Sequence, residues 1–287
     1  MHTPKTIIFY HGSGCTDGFG AAYAAWKKFG DAAEYHPLSR GEEPPVEHAE
    51  GAEVYFVDFT YEKEMMDRFI ETSKSVTVLD HHAGVKDVIE SMPNHVYDAE
   101  RSGAGITWDY FHPGLPRPKL IDHVEDDDLF RFALPDTREI ITYLEVQPQE
   151  FDTWDDIARK LDAPSEREAM LERARIYREY FEILVKLTVD HAKLVLFEGY
   201  EVYFASAPSL KSLKSLVGNQ LATKQGPFGL VVSAHPNGYG VSIRGDGSVD
   251  VAKIAQKFGG NGHPSAAGFL IPREGPFPWE LIESEEE

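Results

Sequence analysis

Short apolar runs alternate with amphipathic stretches in the first half of the chain. The runs are rich in β-branched and aromatic residues, which favours buried strands, and the stretches between them place apolar residues at helical spacing. The predicted strands are Ile7–Tyr10, Val54–Val57 and Val76–Leu79, and the predicted helices are Gly18–Phe29, Glu62–Ser73 and Ser102–Phe111. A repeated strand–helix–strand order predicts a parallel sheet covered by helices on both faces.

The second half begins with a long helical pattern. Apolar spacing predicts a helix over 166–191, and Ser165 followed by Glu168 is typical of a capping box at its start. Further strands are predicted at Lys193–Phe197, Glu201–Ala205, Gly229–Ser233 and Tyr239–Ile243, with a helix at Leu210–Leu221. The fold class is therefore α/β. We expect a parallel-sheet N-terminal domain over 1–164, a connecting helix over 165–194 and a smaller mixed α/β domain over 195–287.

Composition and charge limit the classes of function. The chain has 287 residues, is 42% hydrophobic and carries a formal net charge of −20, which opposes binding to a long nucleic acid. A small phosphorylated ligand is compatible with this charge, because local cations and metal ions can attract it into one cleft. The single cysteine and the lack of a long apolar segment predict a cytoplasmic protein without a membrane span. The sequence leaves open whether the protein forms a homo-oligomer.

Side chains that ligate metals recur where predicted strands stop. Asp80-His81-His82 follows one apolar run, His11 ends another, and Asp58 follows a third. A single aspartate after a strand is more typical of a turn or a helix cap than of a ligand. The convergence of several segments, including the acidic run 125–128, instead favours a site for divalent ions such as Mn²⁺, Mg²⁺ or Zn²⁺.

Five segments in order resemble the DHH phosphoesterases that carry a DHH-associated C-terminal domain. They are His11-x3-Cys15-x-Asp17-Gly18, Val57-Asp58-Phe59, Asp80-His81-His82, Asp126-x-Asp128-Leu129 and 259–268, which reads GGNGHPSAAG. The stretch 130–192 contains no motif of this family. The resemblance implies a metal-dependent catalytic domain followed by a substrate-binding domain.

The resemblance also implies roles for single residues. One ion would be held by His11, Cys15 and Asp58, and a second by Asp17, Asp58, His81 and Asp126. His82 would face the substrate phosphate as a donor or acid, and Asp80 would orient the imidazoles. Mn²⁺ is the expected ion, with Mg²⁺, Zn²⁺ and iron left open.

Cys15 departs from the pattern, because many members of the superfamily have an aspartate at this position. Sulfur is a soft ligand that favours zinc or iron over manganese or magnesium. We hypothesise that Cys15 biases the choice of metal or weakens the first site. A small cysteine that ligates nothing is the structural alternative.

Substrate contacts are predicted in two places. Gly260 and Gly262, in the glycine-rich segment before His263, have the composition of an anion-binding nest, and Arg244 resembles the phosphate-contacting arginine of the family. Arg101 precedes a predicted helix and is a weaker candidate for a phosphate contact. A glycine-rich turn and solvated arginines are the structural alternatives.

The leading hypothesis is a phosphohydrolase that cleaves short phosphodiesters, such as short oligonucleotides or small nucleotides, with metal-activated water. An exopolyphosphatase or pyrophosphatase would use similar ligands on a chain of phosphates, and a non-catalytic sensor of a phosphate ligand is the alternative of another class. Exposed aromatic side chains would favour a nucleotide, and Tyr239 and Phe228 are the candidates. The sequence does not decide the substrate, the direction of cleavage or the metal.

Overall fold

The computed structural model describes residues 5–12, 14–39 and 44–282. The chain forms two compact units, Met1–Arg178 and Glu179–Glu287, each with hydrophobic clusters of its own. Within the described part of the chain, no helix is both long enough and apolar enough to cross a bilayer.

A parallel sheet of five strands organises the N-terminal unit. The strands are β1 (Thr6–His11), β2 (Ala33–Leu38), β3 (Glu53–Val57), β4 (Ser75–Asp80) and β5 (Asn94–Tyr97). Their order is β2-β1-β3-β4-β5, and every neighbouring pair is parallel. The sheet is covered on both faces, which explains why the central strands read as continuous apolar runs rather than alternating ones.

Helices supply both layers of this unit. They are α1 (Thr16–Phe29), α2 (Lys63–Thr72), α3 (Lys86–Glu90), α4 (Gly103–Phe111), α5 (Lys119–Asp128), α6 (Thr137–Glu145) and α7 (Phe151–Asp162). The predicted N-cap of α4 is confirmed, because the Ser102 side chain accepts a hydrogen bond from the Gly105 N–H. The pattern analysis missed β2, β5, α3, α5, α6 and α7. α6 and α7 lie in the stretch for which no motif was found.

The long helix α8 spans Pro164–Asp190. Its existence and extent agree with the prediction, but the capping-box interpretation of Ser165 is wrong. The helix already begins at Pro164, whose fixed φ and missing N–H suit the first helical position. Met170, Leu171 and Ala174 pack into the N-terminal unit, whereas Phe181 and Val185 belong to the C-terminal unit.

The C-terminal unit is built on a mixed sheet of seven strands. Its elements are β6 (Lys193–Phe197), β7 (Tyr200–Ser206), α9 (Lys211–Lys224), β8 (Phe228–His235), β9 (Gly238–Gly245), α10 (Val251–Gln256), β10 (Asn261–His263), β11 (Ala266–Pro272) and β12 (Glu280–Leu281). The order is β10-β11-β9-β8-β7-β6-β12, and only the pair β7–β8 is parallel. The predicted α/β fold class is confirmed, with a parallel sheet, a long helix and a mixed sheet in that order.

Candidate functional site

Three neighbouring strands of the parallel sheet bring their carboxyl ends to one edge. β1 ends at His11, Asp58 directly follows β3, and β4 ends at Asp80. The strands are adjacent in the order β1-β3-β4, so their last side chains meet. This edge is the usual position of ligand sites in open α/β sheets.

Asp58 lies at the centre of the side chains gathered there. Its Oδ2 is 3.5 Å from His11 Nδ1 and 3.8 Å from the Cys15 sulfur. Its Oδ1 is 3.2 Å from His81 Nε2 and 3.7 Å from His82 Nδ1. The residue is 1% exposed and its φ is 57°, so a left-handed backbone turns this carboxylate into the group.

Gly103 leaves the space that Asp58 occupies. A Cβ at Gly103 would lie 2.4 Å from the Asp58 Cβ and 2.7 Å from Oδ1, so only glycine permits this approach. Gly18 has a similar role next to β1, because a Cβ there would lie 2.1 Å from the His11 carbonyl oxygen. Both glycines therefore set the position of candidate ligands without offering a ligand atom.

Asp17 is fixed by the start of a helix. Its two carboxylate oxygens accept hydrogen bonds from Gly103 N–H at 2.7 Å and from Ala104 N–H at 2.9 Å, at the amino end of α4. That end of a helix favours negative charge. Asp17 Oδ2 also lies 3.6 Å from His81 Nε2, so a second group forms around this imidazole.

Asp80 holds His82 in place. Its Oδ1 accepts from the backbone N–H groups of His81 and His82 and lies 2.7 Å from His82 Nδ1, and its Oδ2 accepts from the Thr60 hydroxyl at 2.5 Å. With Nδ1 directed at Asp80, the Nε2 atom of His82 is the nitrogen left for another partner. These contacts suit an orienting residue, and Asp80 also forms a group with Asp58, His81 and His82 whose candidate ligand atoms lie within 4.8 Å of one another.

Cys15 lies where the sequence predicts it, and it also caps a helix. It is the N-cap residue of α1, and its sulfur accepts from Gly18 N–H at 3.5 Å. The same sulfur belongs to a group with His11 and Asp58 whose candidate ligand atoms all lie within 4.8 Å of one another. The structure therefore brings Cys15 to the first predicted metal position.

The structure places Asp128, not Asp126, beside the second predicted metal position. Asp128 Oδ2 is 3.5 Å from His81 Nε2, and it groups with Asp17 and His81. The Asp126 carboxylate instead accepts from Ala133 N–H, Leu134 N–H and the Thr137 hydroxyl. We therefore replace Asp126 by Asp128 in the candidate ligand set. The sequence signal for this ligand was the run of acidic residues. Neighbouring positions of such a run face different sides of the helix, so the run alone does not identify the aspartate that reaches the site.

The protonation of the cluster follows from burial and close charges. Burial alone would lower the pKa of His81, but its close contact with Asp58 and the charges of Asp58, Asp17 and Asp128 raise that pKa to about 10. Burial would raise the pKa of Asp58, but the close imidazoles of His11 and His81 hold it well below its ordinary value. Burial, followed by the charges of Asp58 and Asp128, raises the pKa of Asp17.

These side chains fit divalent metal ions. Among the described residues, Asp58 Oδ1 and His11 Nδ1 are buried atoms without a hydrogen-bond partner. Unpaired polar atoms are costly to bury, so a partner of another kind is expected there. Carboxylate, imidazole and thiol groups converge on Asp58, and these donors suit borderline divalent ions.

Arg101 is engaged in ion pairs within the N-terminal unit. Its Nε donates to Glu125 Oε2 at 2.8 Å and its Nη2 to Asp109 Oδ2 at 3.1 Å, and Arg117 pairs with the same two carboxylates. The predicted phosphate contact of Arg101 would have to compete with these partners. The network fixes the segment before α4, and through it the N–H groups that hold Asp17.

The glycine-rich segment of the C-terminal unit forms part of a small hairpin. Gly260 N–H donates to the Ala255 carbonyl, and Gly262 N–H donates to the Asn261 side chain. A Cβ at Gly260 would lie 2.1 Å from the Gly268 oxygen, and Gly262 has a φ of 154°. Pairing and close packing therefore account for both glycines, and neither N–H is left over for an anion. The exposed His263 lies at the end of β10.

Arg244, in contrast, has a guanidinium that its described hydrogen bonds do not neutralise. It lies on β9, where its Nη2 donates to the Ser215 hydroxyl at 2.9 Å and its Nη1 to the Ile243 carbonyl. Burial lowers the pKa of this guanidinium. Its partners are neutral oxygens, so its charge is not balanced by these contacts.

Comparisons with known proteins agree with the sequence motifs at the C-terminal end. Residues 202–282 match the model of the DHHA1 domain. This match confirms the predicted resemblance to DHH phosphoesterases with a DHH-associated C-terminal domain. The candidate metal ligands lie outside the matched residues, so their roles rest on the motifs and on the geometry above.

Several known proteins are similar to this chain over most of its length, in sequence or in structure. An uncharacterized protein of Acanthamoeba polyphaga mimivirus is 27% identical over 303 positions, which cover 96% of this chain and 70% of the relative. An uncharacterized protein from Helicobacter pylori has a TM-score of 0.49 at 16% identity, covering 94% of this chain and 93% of its own. The pGpG-specific phosphodiesterase PggH from Vibrio cholerae has a TM-score of 0.49 at 13% identity, covering 94% of each chain. These values are too low to inform the function of this chain.

Three consecutive aspartates provide a test of the revised ligand set. We expect Asp128→Asn to lower metal content and Asp127→Asn to leave it unchanged. Asp126→Asn should lower the free energy of unfolding by about 1–3 kcal/mol, because one amide oxygen cannot accept all three hydrogen bonds. Metal analysis and denaturant unfolding of the three variants measure these effects. Metal loss in Asp126→Asn together with wild-type stability would restore Asp126 as the ligand.

The buried His123 predicts a loss of stability in acid. Its Nδ1 lies 2.8 Å from the Thr137 hydroxyl, and burial lowers its pKa to about 4. The unfolded chain, with an ordinary histidine pKa of about 6.5, binds this proton at higher pH than the folded chain. His123 therefore costs stability as pH falls from about 6.5 to about 4, by about 2 kcal/mol between pH 7 and pH 5. In His123→Gln this drop should be smaller, as measured by unfolding at both pH values, whereas an equal drop would contradict the assignment.

Proposed function

We propose that this chain, which carries a DHHA1 domain, is a divalent-metal-dependent phosphohydrolase that cleaves short phosphodiesters. The observation that carries the proposal is the convergence of His11, Cys15 and His81 on Asp58, with Asp17 and Asp128 beside His81, at the edge of the parallel sheet. The DHHA1 match supports a substrate-binding unit after this site. Substrates would be short oligonucleotides or small nucleotides.

Two ions would share Asp58. The first would be held by His11, Cys15 and Asp58, whose candidate ligand atoms lie within 4.8 Å of one another. The second would be held by Asp17, Asp58, His81 and Asp128, and each of the three carboxylates lies within 3.6 Å of His81 Nε2. When bound, such a pair neutralises charge on a phosphate and lowers the pKa of a water molecule. Mn²⁺ is the ion we propose, with the thiol of Cys15 as the reason to test Zn²⁺ and iron as well.

His82 would donate a proton to the leaving oxygen. Asp80 Oδ1 lies 2.7 Å from His82 Nδ1 and fixes the ring, so the Nε2 atom is directed away from Asp80. The His82 side chain is 31% exposed, which leaves this nitrogen open to a substrate. A protonated Nε2 can donate to a phosphate oxygen, and the same proton can pass to the departing alcohol.

Arg244 and His263 are the substrate-binding residues that we propose within the DHHA1 domain. Arg244 brings a buried guanidinium whose described hydrogen bonds go to neutral oxygens, which leaves its charge free to attract a phosphate. The net charge of −20 opposes binding to long nucleic acid, so a short ligand suits the protein better.

Hydrolysis should depend on Asp58. We expect the purified protein with Mn²⁺ to cleave dinucleotides, and we expect Asp58→Asn to lose at least a thousandfold in kcat, because both ion positions share this carboxylate. Product analysis should cover dinucleotides, cyclic dinucleotides, pyrophosphate and polyphosphate. Glu53→Gln, a surface carboxylate at the opposite end of β3, is the matched control and should keep full activity.

The outcomes separate the three candidate functions. Turnover of pyrophosphate or polyphosphate alone would replace the phosphodiesterase by a polyphosphatase-type enzyme. Tight binding of a phosphorylated ligand without any turnover would support a sensor. Activity that survives in Asp58→Asn would refute the site itself.

Cys15 should control which metal the protein prefers. We expect Cys15→Asp to shift metal preference from Zn²⁺ towards Mn²⁺, because an oxygen ligand replaces a soft sulfur. Metal content after equilibration with equal concentrations of both ions measures the shift, and Cys15→Ser controls for loss of the sulfur alone. Equal content and equal preference in Cys15→Asp and the wild type would show that the thiol ligates nothing.

A further inference from the structure

We infer that Phe130 is a base-stacking residue, so that the site takes a nucleotide rather than a bare chain of phosphates. This inference rests on the proposed function, because it concerns the substrate of the same site. Phe130 has no role in the metal centre, and it lies at the start of a stretch in which the sequence motifs assign no function.

Phe130 combines two features that are unfavourable for folding. Its side chain is 64% exposed, and its φ is 54°. A left-handed backbone is uncommon for a bulky residue, and exposure of the ring removes the gain from burial that could offset the strain. Strained residues that the surrounding structure holds in place are concentrated at ligand sites.

The segment that carries Phe130 is held firmly. The carbonyl oxygen of Asp126 accepts from Arg131 N–H and Phe132 N–H, and the Asp126 carboxylate accepts from Ala133 N–H and Leu134 N–H. The Arg131 side chain donates to the Glu100 carbonyl at 2.6 Å. The chain on both sides of the ring is therefore fixed.

Among the described residues, one aromatic side chain packs against the Phe130 ring. Phe132 meets Phe130 edge to face, with the ring centroids 4.8 Å apart and the planes at 78°. The guanidinium of Arg138 lies 4.0 Å from the centroid of Phe132 and braces that ring in turn. Phe130 is thus an ordered ring with an open surface, and an ordered ring loses little entropy when a ligand stacks on it.

Phe130 lies close along the chain to a residue of the candidate metal centre. The residue follows Asp128 by two positions, and two residues span at most about 7 Å. Asp128 Oδ2 lies 3.5 Å from His81 Nε2 in the candidate metal centre. A nucleobase lies one sugar away from its phosphate, so a phosphate at the metal centre would place the base within reach of this ring.

The aromatic residues predicted for this role fit less well. Phe228 is fully buried in the C-terminal core. Tyr239 is 37% exposed and packs against Phe277, with centroids 5.4 Å apart. Among the described aromatic residues, Phe130 is the nearest to Asp128 along the chain. Its ring is more exposed than those of Phe228 and Tyr239.

A substrate without bases provides the test. We compare cleavage of a dinucleotide and of the abasic dinucleotide with the same sugar–phosphate backbone. The wild type should prefer the dinucleotide in kcat/KM by about fivefold or more, since stacking on an aromatic side chain is worth roughly five- to 150-fold per base. Phe130→Leu should lose the preference, and Phe130→Tyr should keep it.

Two further variants separate stacking from a structural role. Leu134→Ala removes a partly exposed apolar side chain from the same segment and should leave the preference intact. Phe130→Gly relieves the left-handed backbone, so its unfolding midpoint should not fall although its preference for the base is lost. A lower midpoint together with an unchanged preference would mean that Phe130 serves the fold and would overturn the inference.

The outcomes distinguish this inference from the proposed function. Equal cleavage of both substrates by the wild type would overturn base stacking and leave the phosphohydrolase standing. Cleavage of neither would overturn the proposed function. In that case, a binding experiment still tests stacking: the tryptophan fluorescence of Phe130→Trp is titrated with a phosphorothioate dinucleotide. Stronger quenching than in the wild type would support stacking on residue 130. Equal quenching in both proteins would refute it.

Discussion

The concentration of buried carboxylates at one edge of the parallel sheet is the constraint on which the N-terminal unit depends. Asp17, Asp58 and Asp80 are almost completely buried, and such charges are tolerated only with close partners. Each of these carboxylates has a different set of partners. Asp17 takes N–H groups at the start of α4, Asp80 takes backbone and imidazole donors, and Asp58 retains a buried oxygen without a hydrogen-bond partner. Asp58 is therefore where a cation is most needed.

The sequence predicted this edge well because its signals are local. Each of β1, β3 and β4 is a short apolar run, and a parallel sheet brings the residues that follow such runs to one place. The helices α1, α2 and α4 follow from apolar residues at helical spacing. β2 was missed because its pattern mixes polar residues and a proline, as an edge strand permits.

Helical phase and backbone pairing could not be predicted from the motifs. Asp126 and Asp128 lie on different sides of α5, and the choice between them depends on the turn that follows the helix, where Asp126 caps the next segment. The glycines at 260 and 262 have the composition of an anion nest, but local hydrogen bonds to Ala255 and Asn261 use their N–H groups. Composition shows which polar groups a segment has. The fold decides which of them remain without an internal hydrogen bond and can therefore bind a ligand.

The hydrogen bonds from α4 to Asp17 also bear on how the site would treat ions of different size. Both oxygens of this carboxylate are held by backbone N–H groups, and Asp58 has Gly103 packed against its Cβ. Neither side chain can rotate freely to follow a larger or smaller cation. Ion radius, and not only ligand softness, would then enter selectivity, since a stiff cage penalises any ion that does not match its spacing.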